Sequence, residues 1–442
     1  MSVKSFLQTV IPLTLAVASC LFIVTCSESP TSPALADEQG EGINTAGERE
    51  MIPGKIRAVA GSRGTLPGGS LYEILVPDPW NGDVVVYAHG YVRPDEPLAL
   101  PDDEINGIPV SGIINNLGYA YVSTSYRRNG LVVPEAVMDL MELVELFRQE
   151  YPSTGHVLLV GVSEGGLITT LALEKHPDVF DGGLAACGPI GDFHRQLNYI
   201  GDFRIVFDYF FPDLIPGSPV AIPDQVINDW ETIIKPQVIS AIYNYPHRTR
   251  QLLRVTRAPI DQNDPASIEN TVIGILEYNI FGTNDAISQL GGQPVDNKRK
   301  IYLGSYNDFR LNLRIQRFSA DLAAVNEIEN NYQTSGRLDV PLSAIHTIGD
   351  EIVPYWHEPL YRLKIFSHKA GFYHSNLPVF RYGHCNFNQA EVLAAFAVLV
   401  LKVTATDLLV AENVVPTVRM QTQLRSIAGE LGANPKIIPV DR

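Results

Sequence analysis

Short apolar runs alternate with amphipathic stretches along the first half of the chain. The runs are bounded by Gly, Pro and Asn, which is typical of strands, and they lie at 71–76, 83–88, 119–126, 156–162 and 180–187. Two segments carry apolar residues at three- and four-residue spacing and predict helices, at 134–149 and 164–176. The run at 156–162 is almost wholly apolar, as expected of a strand that helices cover on both faces. This order predicts a doubly wound, mostly parallel α/β sheet, with a β/α barrel as the alternative.

The first 36 residues are predicted to be an export signal. A lysine precedes an apolar run at 6–24, and a stretch rich in Ser and Pro follows it. Three processing sites stay open, namely lipidation at Cys20, lipidation at Cys26, or ordinary signal cleavage after Ala36. An uncleaved membrane anchor is a further alternative. All these interpretations place the protein outside the cytoplasm, in the periplasm or on the outer cell surface, and two of them attach it to a membrane through a lipid.

Composition and net charge narrow the class of partner. The chain has 33 Lys plus Arg and 49 Asp plus Glu, which gives a formal net charge of −16. Because such a chain repels polyphosphate on average, nucleic-acid binding is disfavoured. The hydrophobic content of 45% and the charged content of 19% are typical of a folded globular protein. We therefore expect a sizeable core and no nucleic-acid partner.

A Gly-x-Ser-x-Gly motif lies where the apolar run at 156–162 meets the helix that follows. Its defining residues are Gly161, Ser163 and Gly165. A nucleophilic serine at the tip of a sheet needs a tight, strained turn, in which side chains at the two glycine positions would collide with neighbouring elements. The motif is common by chance, so a structural serine in an ordinary turn is the alternative. The strand before the motif and the helix after it favour a nucleophile.

The motif and its surroundings resemble the α/β-hydrolase superfamily. Tyr91 follows a His-Gly pair, His89 and Gly90, at the end of another apolar strand, and this resembles the superfamily's H-G-x loop. The resemblance implies an oxyanion hole formed by the backbone N–H groups of Tyr91 and Glu164. A strand-ending glycine beside a packed histidine is the alternative.

In that superfamily the triad acid follows the serine in the chain. The apolar run at 341–349 ends in Asp350, which resembles the triad acid at the end of the penultimate strand. Glu351 and Asp339 are the alternatives, because a carboxylate at a strand end is often only a cap or a surface charge.

The base should come after the acid, beyond the last strand. A short strand at 377–382 leads to His384, which resembles the superfamily's histidine and precedes a predicted helix. His346 and His357 are the alternatives. Together with Asp350 these two histidines could also bind a metal, but no paired metal-ligand spacing is present, so we expect neither a metal nor a cofactor.

Only two cysteines, Cys187 and Cys385, lie outside the predicted signal. An even pair in an exported chain predicts a disulfide, with two buried thiols as the alternative. Cys187 ends a central strand and Cys385 directly follows His384. A bond between them would tie the histidine loop to the edge of the sheet that carries Ser163.

About 150 residues separate the two halves of the predicted core, which indicates an inserted lid. Helices are predicted in it at 224–235, from 264 onward and at 319–332. Six aromatic residues in the insert could line a substrate pocket or pack in the lid's own core: Tyr199, Phe203, Phe207, Tyr209, Phe210 and Phe211. The predicted organisation is a signal at 1–36, a tether at 37–51, core at 52–188, a mainly helical lid at 189–336, core at 337–403 and a C-terminal extension at 404–442.

Taken together, the sequence predicts an exported serine hydrolase that cleaves a small or polymeric carboxylic ester without a cofactor. Ser163 would attack the carbonyl, His384 would take and return the proton, and Asp350 would orient the imidazole. One alternative is a serine peptidase that resembles prolyl oligopeptidases but lacks their propeller. Another is a catalytically silent envelope-binding protein on a hydrolase scaffold.

Overall fold

The computed structural model describes residues 57–411. The predicted signal at 1–36, the tether at 37–51 and residues 412–442 of the predicted extension lie outside this range. Within it are ten strands: β1 Arg57–Thr65, β2 Leu71–Asp78, β3 Val84–Ala88, β4 Glu104–Ile105, β5 Ile108–Pro109, β6 Ala120–Thr124, β7 Val157–Val162, β8 Gly182–Ala186, β9 Leu342–Gly349 and β10 His374–Tyr382.

Residues 57–411 also contain twelve α-helices and two π-helical turns, Trp230–Ile234 and Ile328–Tyr332. The α-helices are α1 Val110–Asn116, α2 Val133–Glu150, α3 Glu164–Lys175, α4 Phe193–Phe210, α5 Asp224–Asp229, α6 Lys235–Asn244, α7 Pro246–Thr256, α8 Ala266–Leu290, α9 Asp308–Arg314, α10 Leu322–Glu327, α11 His357–Ser367 and α12 Gln389–Ala411.

Eight of the strands form one open sheet in the order β1-β2-β6-β3-β7-β8-β9-β10. β1 pairs antiparallel with β2, and β2 with β6, whereas every pair from β6 to β10 is parallel. β4 and β5 form a separate two-stranded ribbon. The predicted doubly wound, mostly parallel sheet is therefore confirmed, and the barrel alternative is wrong because β1 and β10 are free edges.

Helices cover both faces of this sheet, which explains why its central strands are apolar on both sides. Val84 and Val86 of β3 pack with α2 and α3 on one face, where α11 also contributes. Val85 and Tyr87, one residue out of step, pack on the opposite face with α1 and α12. This alternation follows from the two-residue period of a strand.

The chain from β8 to β9 forms a cap of seven helices, α4 to α10, with a hydrophobic core of its own. The helix predicted at 224–235 continues through a π-helical turn into α6, and the one predicted at 319–332 begins later, at Leu322. The sequence did not predict α4 or the edge strand β1. Ile352 and Val353, from the loop after β9, join the cap's core, so the cap packs directly against that loop.

Helix α12 packs on β8, β9 and β10 and is apolar around most of its circumference. Its stretch Gln389–Asp407 is the one helical segment within residues 57–411 that is long and apolar enough to cross a membrane, a property that core helices share. The buried residues are Ala395, Phe396, Leu399 and Val403. Val400 packs against the same core and is partly buried.

The carboxyl ends of the parallel strands lie on the same side of the sheet, and they bring the predicted site residues together. Ala88 of β3 lies opposite Gly161 of β7, which in turn lies opposite Ala185 of β8. Gly349 of β9 is the partner of Tyr382 in β10. The loops that follow these strands carry the His-Gly loop, the serine, the first cysteine, the acid and the histidine.

Candidate active site

Ser163 occupies a strained turn between β7 and α3. Its backbone has φ 57° and ψ −120°, a conformation that costs about 1–3 kcal/mol for a residue with a side chain. A Cβ atom at Gly161 would lie 1.9 Å from the carbonyl oxygen of Gly165, and one at Gly165 would lie 2.0 Å from that of Ala88. Only glycine fits at these two positions, which is the geometric reason for the motif.

His384 forms hydrogen bonds with both Ser163 and Asp350. Its Nε2 lies 2.8 Å from the Ser163 hydroxyl oxygen, and its Nδ1 lies 2.8 Å from Oδ2 of Asp350. Because the Nδ1–H group donates to the carboxylate, Nε2 is left to accept the serine proton. The structure thus brings the predicted nucleophile, base and acid into hydrogen-bond contact.

The carboxylate of Asp350 is fully buried and is held from several sides. Its Oδ1 accepts hydrogen bonds from the backbone N–H groups of Ile352 and Val353, at 3.0 and 2.7 Å. Burial by itself raises the pKa of Asp350, but the charges and hydrogen bonds of His384 and His346 outweigh it and hold the pKa well below its ordinary value. Asp350 is therefore a carboxylate over the whole neutral range.

His346, an alternative base in the sequence, lies buried behind the acid instead. Its Nε2 donates to the carbonyl oxygen of Val353 at 2.7 Å, and its Nδ1 lies 3.2 Å from Oε1 of Glu358. Two acceptors for the two ring nitrogens require the imidazolium form. Burial lowers the pKa of His346, but its bonds to Asp350 and Glu358 raise it to about 10. The support of Asp350 by His346 and Glu358 could not be predicted from the sequence, because neither residue belongs to a known motif.

The remaining alternatives for the acid, the base and the metal ligands make other contacts or lie at other positions. His357 accepts from the N–H of Gly191 through Nδ1 at 3.0 Å and binds Gln196 through Nε2 at 2.9 Å, which occupies both ring nitrogens. Burial lowers the pKa of His357 far below its ordinary value, so it is neutral. Asp339 precedes β9 and so lies toward the amino end of that strand, whereas Ser163 follows the carboxyl end of β7. Glu351 is buried close to the backbone of His384, but within residues 57–411 its side chain forms no hydrogen bond with the His384 ring.

Two backbone N–H groups are predicted to form the oxyanion hole. Gly90 packs against the nucleophile, since a Cβ added there would lie 3.2 Å from Cβ of Ser163. Tyr91 follows and lines the cavity that contains Ser163. Glu164 is the first residue of α3, where N–H groups have no acceptor within the helix. Their positions fit an oxyanion hole, and their role in it stays a prediction.

The side chain of Glu164 is an unusual group beside the nucleophile. It is buried, its Oε1 accepts from the N–H of Val132 at 3.2 Å, and its Oε2 has no partner within residues 57–411. Burial, with a smaller contribution from the nearby Asp285 carboxylate, raises the pKa of Glu164 to about 8. At neutral pH the side chain is therefore mostly a neutral acid.

A cavity opens at Ser163 between the carboxyl ends of the strands and the cap. Its walls are mostly apolar and include Phe193, Leu197, Ile200, Val220, Val295 and Ile352. None of the six aromatic residues singled out in the sequence lines it. They pack in or against the cap's core, so the hypothesis that they form the pocket is wrong. Both arrangements have the same apolar helical spacing, which is why the sequence could not distinguish them.

Tyr278 of α8 is a site residue that the sequence reasoning missed. It lines the cavity, and its hydroxyl lies close to the Ser163 side chain. Burial raises the pKa of Tyr278 to about 12, so the hydroxyl keeps its proton and can donate. No motif marks this tyrosine, because the cap brings it to Ser163 from more than a hundred residues away in the chain.

Cys187 and Cys385 are joined by a disulfide, with their Cα atoms 5.4 Å apart. Cys187 follows β8, and Cys385 follows His384, so the bond fastens the histidine loop to the strand next to β7, which leads to Ser163. The Sγ atom of Cys385 lies 3.4 Å from Nε2 of His384. Cys187, His384 and Cys385 are also the one cluster of potential metal ligands within residues 57–411, and the disulfide engages two of the three.

Comparison with known proteins gives one family match and several distant structural similarities. Residues 132–255 match the family model described as serine aminopeptidase, S33. A search of curated proteins found no match.

Three of the similar solved structures each share 12% identity with the chain. An esterase from Pyrococcus furiosus has a TM-score of 0.39, with 80% of this chain and 90% of the esterase covered. Feruloyl esterase B from Aspergillus oryzae has a TM-score of 0.39, with 76% and 81% covered. The acylaminoacyl peptidase of Pyrococcus horikoshii has a TM-score of 0.38, with 75% of this chain and 38% of the peptidase covered. The chain therefore spans well under half of the length of that peptidase. At these identities and TM-scores the similarities carry no information on substrate.

Proposed function

We propose that the chain, which has the α/β-hydrolase fold, is a serine hydrolase that cleaves carboxylic esters through an acyl-enzyme. The observation that carries the proposal is the apolar cavity that opens directly on Ser163. A cavity of this kind accommodates an alkyl or aromatic acyl group, because a mostly hydrophobic lining with few polar groups suits such ligands.

The mechanism follows from the hydrogen bonds of Ser163, His384 and Asp350. As the serine oxygen attacks the ester carbonyl, its proton moves to Nε2 of His384, while Asp350 stabilises the imidazolium through Nδ1–H. The N–H groups of Tyr91 and Glu164 would bind the oxyanion. His384 then protonates the leaving alcohol, and a water molecule, deprotonated by the same imidazole, hydrolyses the acyl-enzyme.

A second candidate is an aminopeptidase, and one observation favours it. The family model that matches residues 132–255 carries that description. The match ends before Asp350 and His384 and includes only the first part of the cap, so it does not cover the whole cavity. The apolar lining makes an ester the better candidate.

Two measurements test the function. A fluorophosphonate probe should label the wild type at Ser163 and should not label Ser163→Ala, since the reaction requires an activated serine. A silent binding protein would leave both unlabelled. A panel of p-nitrophenyl esters and aminoacyl p-nitroanilides should then give a higher kcat/KM for esters. Anilides cleaved with the higher kcat/KM would establish the peptidase and refute the esterase.

We also propose that the protein works outside the cytoplasm, attached to a membrane through an N-terminal lipid. The apolar run at 6–24 and the cysteines at 20 and 26 support this proposal. A disulfide beside the catalytic histidine supports export too, because such bonds persist in oxidising compartments.

A further inference from the structure

One stretch of the cap, from Lys298 to Arg317, exposes an unusual amount of apolar surface. Residues 60–407 have 17 exposed large hydrophobic side chains, and five of them lie in these twenty residues. The five are between 58% and 81% exposed: Ile301, Leu303, Tyr306, Phe309 and Leu313. Single exposed apolar residues are ordinary, whereas a cluster indicates a binding surface.

Helix α9 shows how these side chains are directed to solvent. Leu311 and Ile315 are buried and fix the inner side of the segment. At 100° per residue, Phe309 and Leu313 fall on the opposite side, where a surface helix normally carries polar residues. Because Leu311 is buried, Phe309 and Leu313 on the other side of the helix are exposed to solvent.

Cations surround this apolar surface. From 298 to 317 there are six Lys and Arg and one Asp, a local charge of +5 in a chain of −16. Within the described part of the chain, the side chains of Lys298, Arg299, Arg310 and Arg314 have no acidic partner. The single acid, Asp308, is occupied by the N–H groups of Gly304 and Ser305 and by the Ser305 hydroxyl.

Contacts with the rest of the cap hold the backbone of this surface in place. The three cations at 298–300 share a groove with Ile301, Leu303 and Phe309. The buried Tyr302 hydroxyl and the Lys300 ammonium both bind the carboxylate of Asp202 in α4. These contacts hold the backbone between the exposed side chains in place.

We propose that this basic-apolar patch, residues 298–317, docks the protein on an anionic lipid membrane. Aromatic and aliphatic side chains enter the boundary between headgroups and acyl chains, and Lys and Arg beside them attract lipid phosphates. The complementarity is local, since the chain as a whole is acidic and would be repelled by such a membrane. The patch therefore sets which side of the protein meets the lipid.

The position of the patch connects docking to the cavity. Pro294 and Val295 line the cavity a few residues before Lys298, and Asp202, which holds Lys300, follows the cavity residue Gly201. The patch and one wall of the cavity thus belong to the same part of the cap. Docking would place that wall close to the lipid surface, whatever the chemistry at Ser163.

Vesicle sedimentation of the full-length protein tests the proposal, with Cys20→Ser and Cys26→Ser in every protein compared, the one called wild type included, so that no acyl chain holds it on the vesicle. The wild type should bind mixed phosphatidylglycerol–phosphatidylcholine vesicles more tightly than pure phosphatidylcholine vesicles, and less tightly as salt is raised. The triple variant Arg299→Gln, Arg310→Gln, Arg314→Gln should lose at least about tenfold in affinity for the anionic vesicles only. The double variant Phe309→Ser, Leu313→Ser should lose affinity for both kinds.

Matched variants outside the patch control for charge and apolar area, and the N-terminus is the same in all proteins. Lys175→Gln, Arg250→Gln, Lys369→Gln removes three exposed cations, and Leu363→Ser, Phe366→Ser removes two exposed apolar side chains. Neither should change binding. Thermal melts show whether every variant is folded.

Equal vesicle binding by wild type and both patch variants overturns the proposal. So does a dimer in solution that the patch variants dissociate, because the patch would then be an interface between two copies.

Discussion

His346 lies with its Nε2 3.4 Å from Oδ2 of Asp350, the same oxygen that binds Nδ1 of His384. Asp350 is thus shared between two imidazoles, only one of which reaches Ser163. The other is itself held by Glu358 and by the Val353 carbonyl. We therefore regard His346 as a positioning residue that holds Asp350 in place, together with the loop that follows β9 (the acid loop).

Stability should fall on the alkaline side because of His346. Its pKa is about 10 in the folded protein against 6.5 when unfolded, so its contribution is complete below pH 6.5 and is lost as the pH rises toward 10. Denaturant titrations of the wild type at pH 7 and pH 10 should show this loss. His346→Gln leaves two buried carboxylates without their cation and should cost about 3–5 kcal/mol at pH 7. Its stability should change less between the two pH values, and an equal change would contradict the assignment.

Ser163→Ala and His384→Ala should each lower kcat by about 10⁴-fold or more, because the two residues act as one unit. For the same reason the double variant should be little worse than either single variant. Additive losses in ester turnover would show that His384 does not activate Ser163.

Asp350→Asn should lower kcat by about 10⁴-fold, since an amide would fix the wrong tautomer of His384. Glu351→Gln is the matched control, as it makes the same chemical change at the next residue. It should leave kcat within a few-fold of the wild type. A severe loss with Glu351→Gln and a mild one with Asp350→Asn would identify Glu351 as the acid.

Ester hydrolysis should decline above about pH 8 because of Glu164. Its pKa is about 8, so above that pH its side chain becomes a carboxylate next to the predicted oxyanion hole, where a negative charge opposes the transition state. Glu164→Gln cannot ionise and should keep its kcat from pH 8 to pH 9.5. The alkaline decline should therefore disappear in the pH–rate profile of this variant, and its persistence would assign the decline to another group.

Much of the sheet and the meeting of Ser163, Asp350 and His384 could be predicted from the sequence because their signals are local. A buried strand, a glycine pair around Ser163 and a histidine after the last strand are each visible within a few residues. β1 was missed because its sequence, Arg57–Thr65, is mostly small or polar, as an edge strand permits.

The cavity and the brace behind Asp350 depend on contacts between distant segments. Tyr278 reaches Ser163 only through the packing of the cap, and Glu358 reaches His346 only because α11 follows the acid loop back to the sheet. Apolar spacing marks the helices of the cap but does not show whether an apolar side is directed to the cap's core, to the cavity or to solvent. Phe203 and Phe309 illustrate the two extremes, one buried and one exposed.

Breaking the disulfide should impair both stability and turnover. Cys187→Ser, Cys385→Ser should lower the free energy of unfolding by about 2–5 kcal/mol. It also releases the loop of His384, so kcat should fall while KM changes little. Mass spectrometry of the unreduced wild type from an oxidising compartment should show the bond. Two freely alkylated thiols there would refute it.

The N-terminal processing distinguishes the membrane anchor from a plain secretory signal. Lipidation at Cys20 or Cys26 leaves a diacylglyceryl cysteine, whereas cleavage after Ala36 leaves a protein that begins at Asp37. Cys20→Ser and Cys26→Ser, singly and together, should release the protein from the membrane fraction only when the modified cysteine is lost. Because several acyl chains hold far more firmly than a protein surface, the basic-apolar patch alone should not retain the double variant in high salt. Wild-type protein recovered without lipid and with Asp37 as its first residue would show that the signal is an ordinary secretory one.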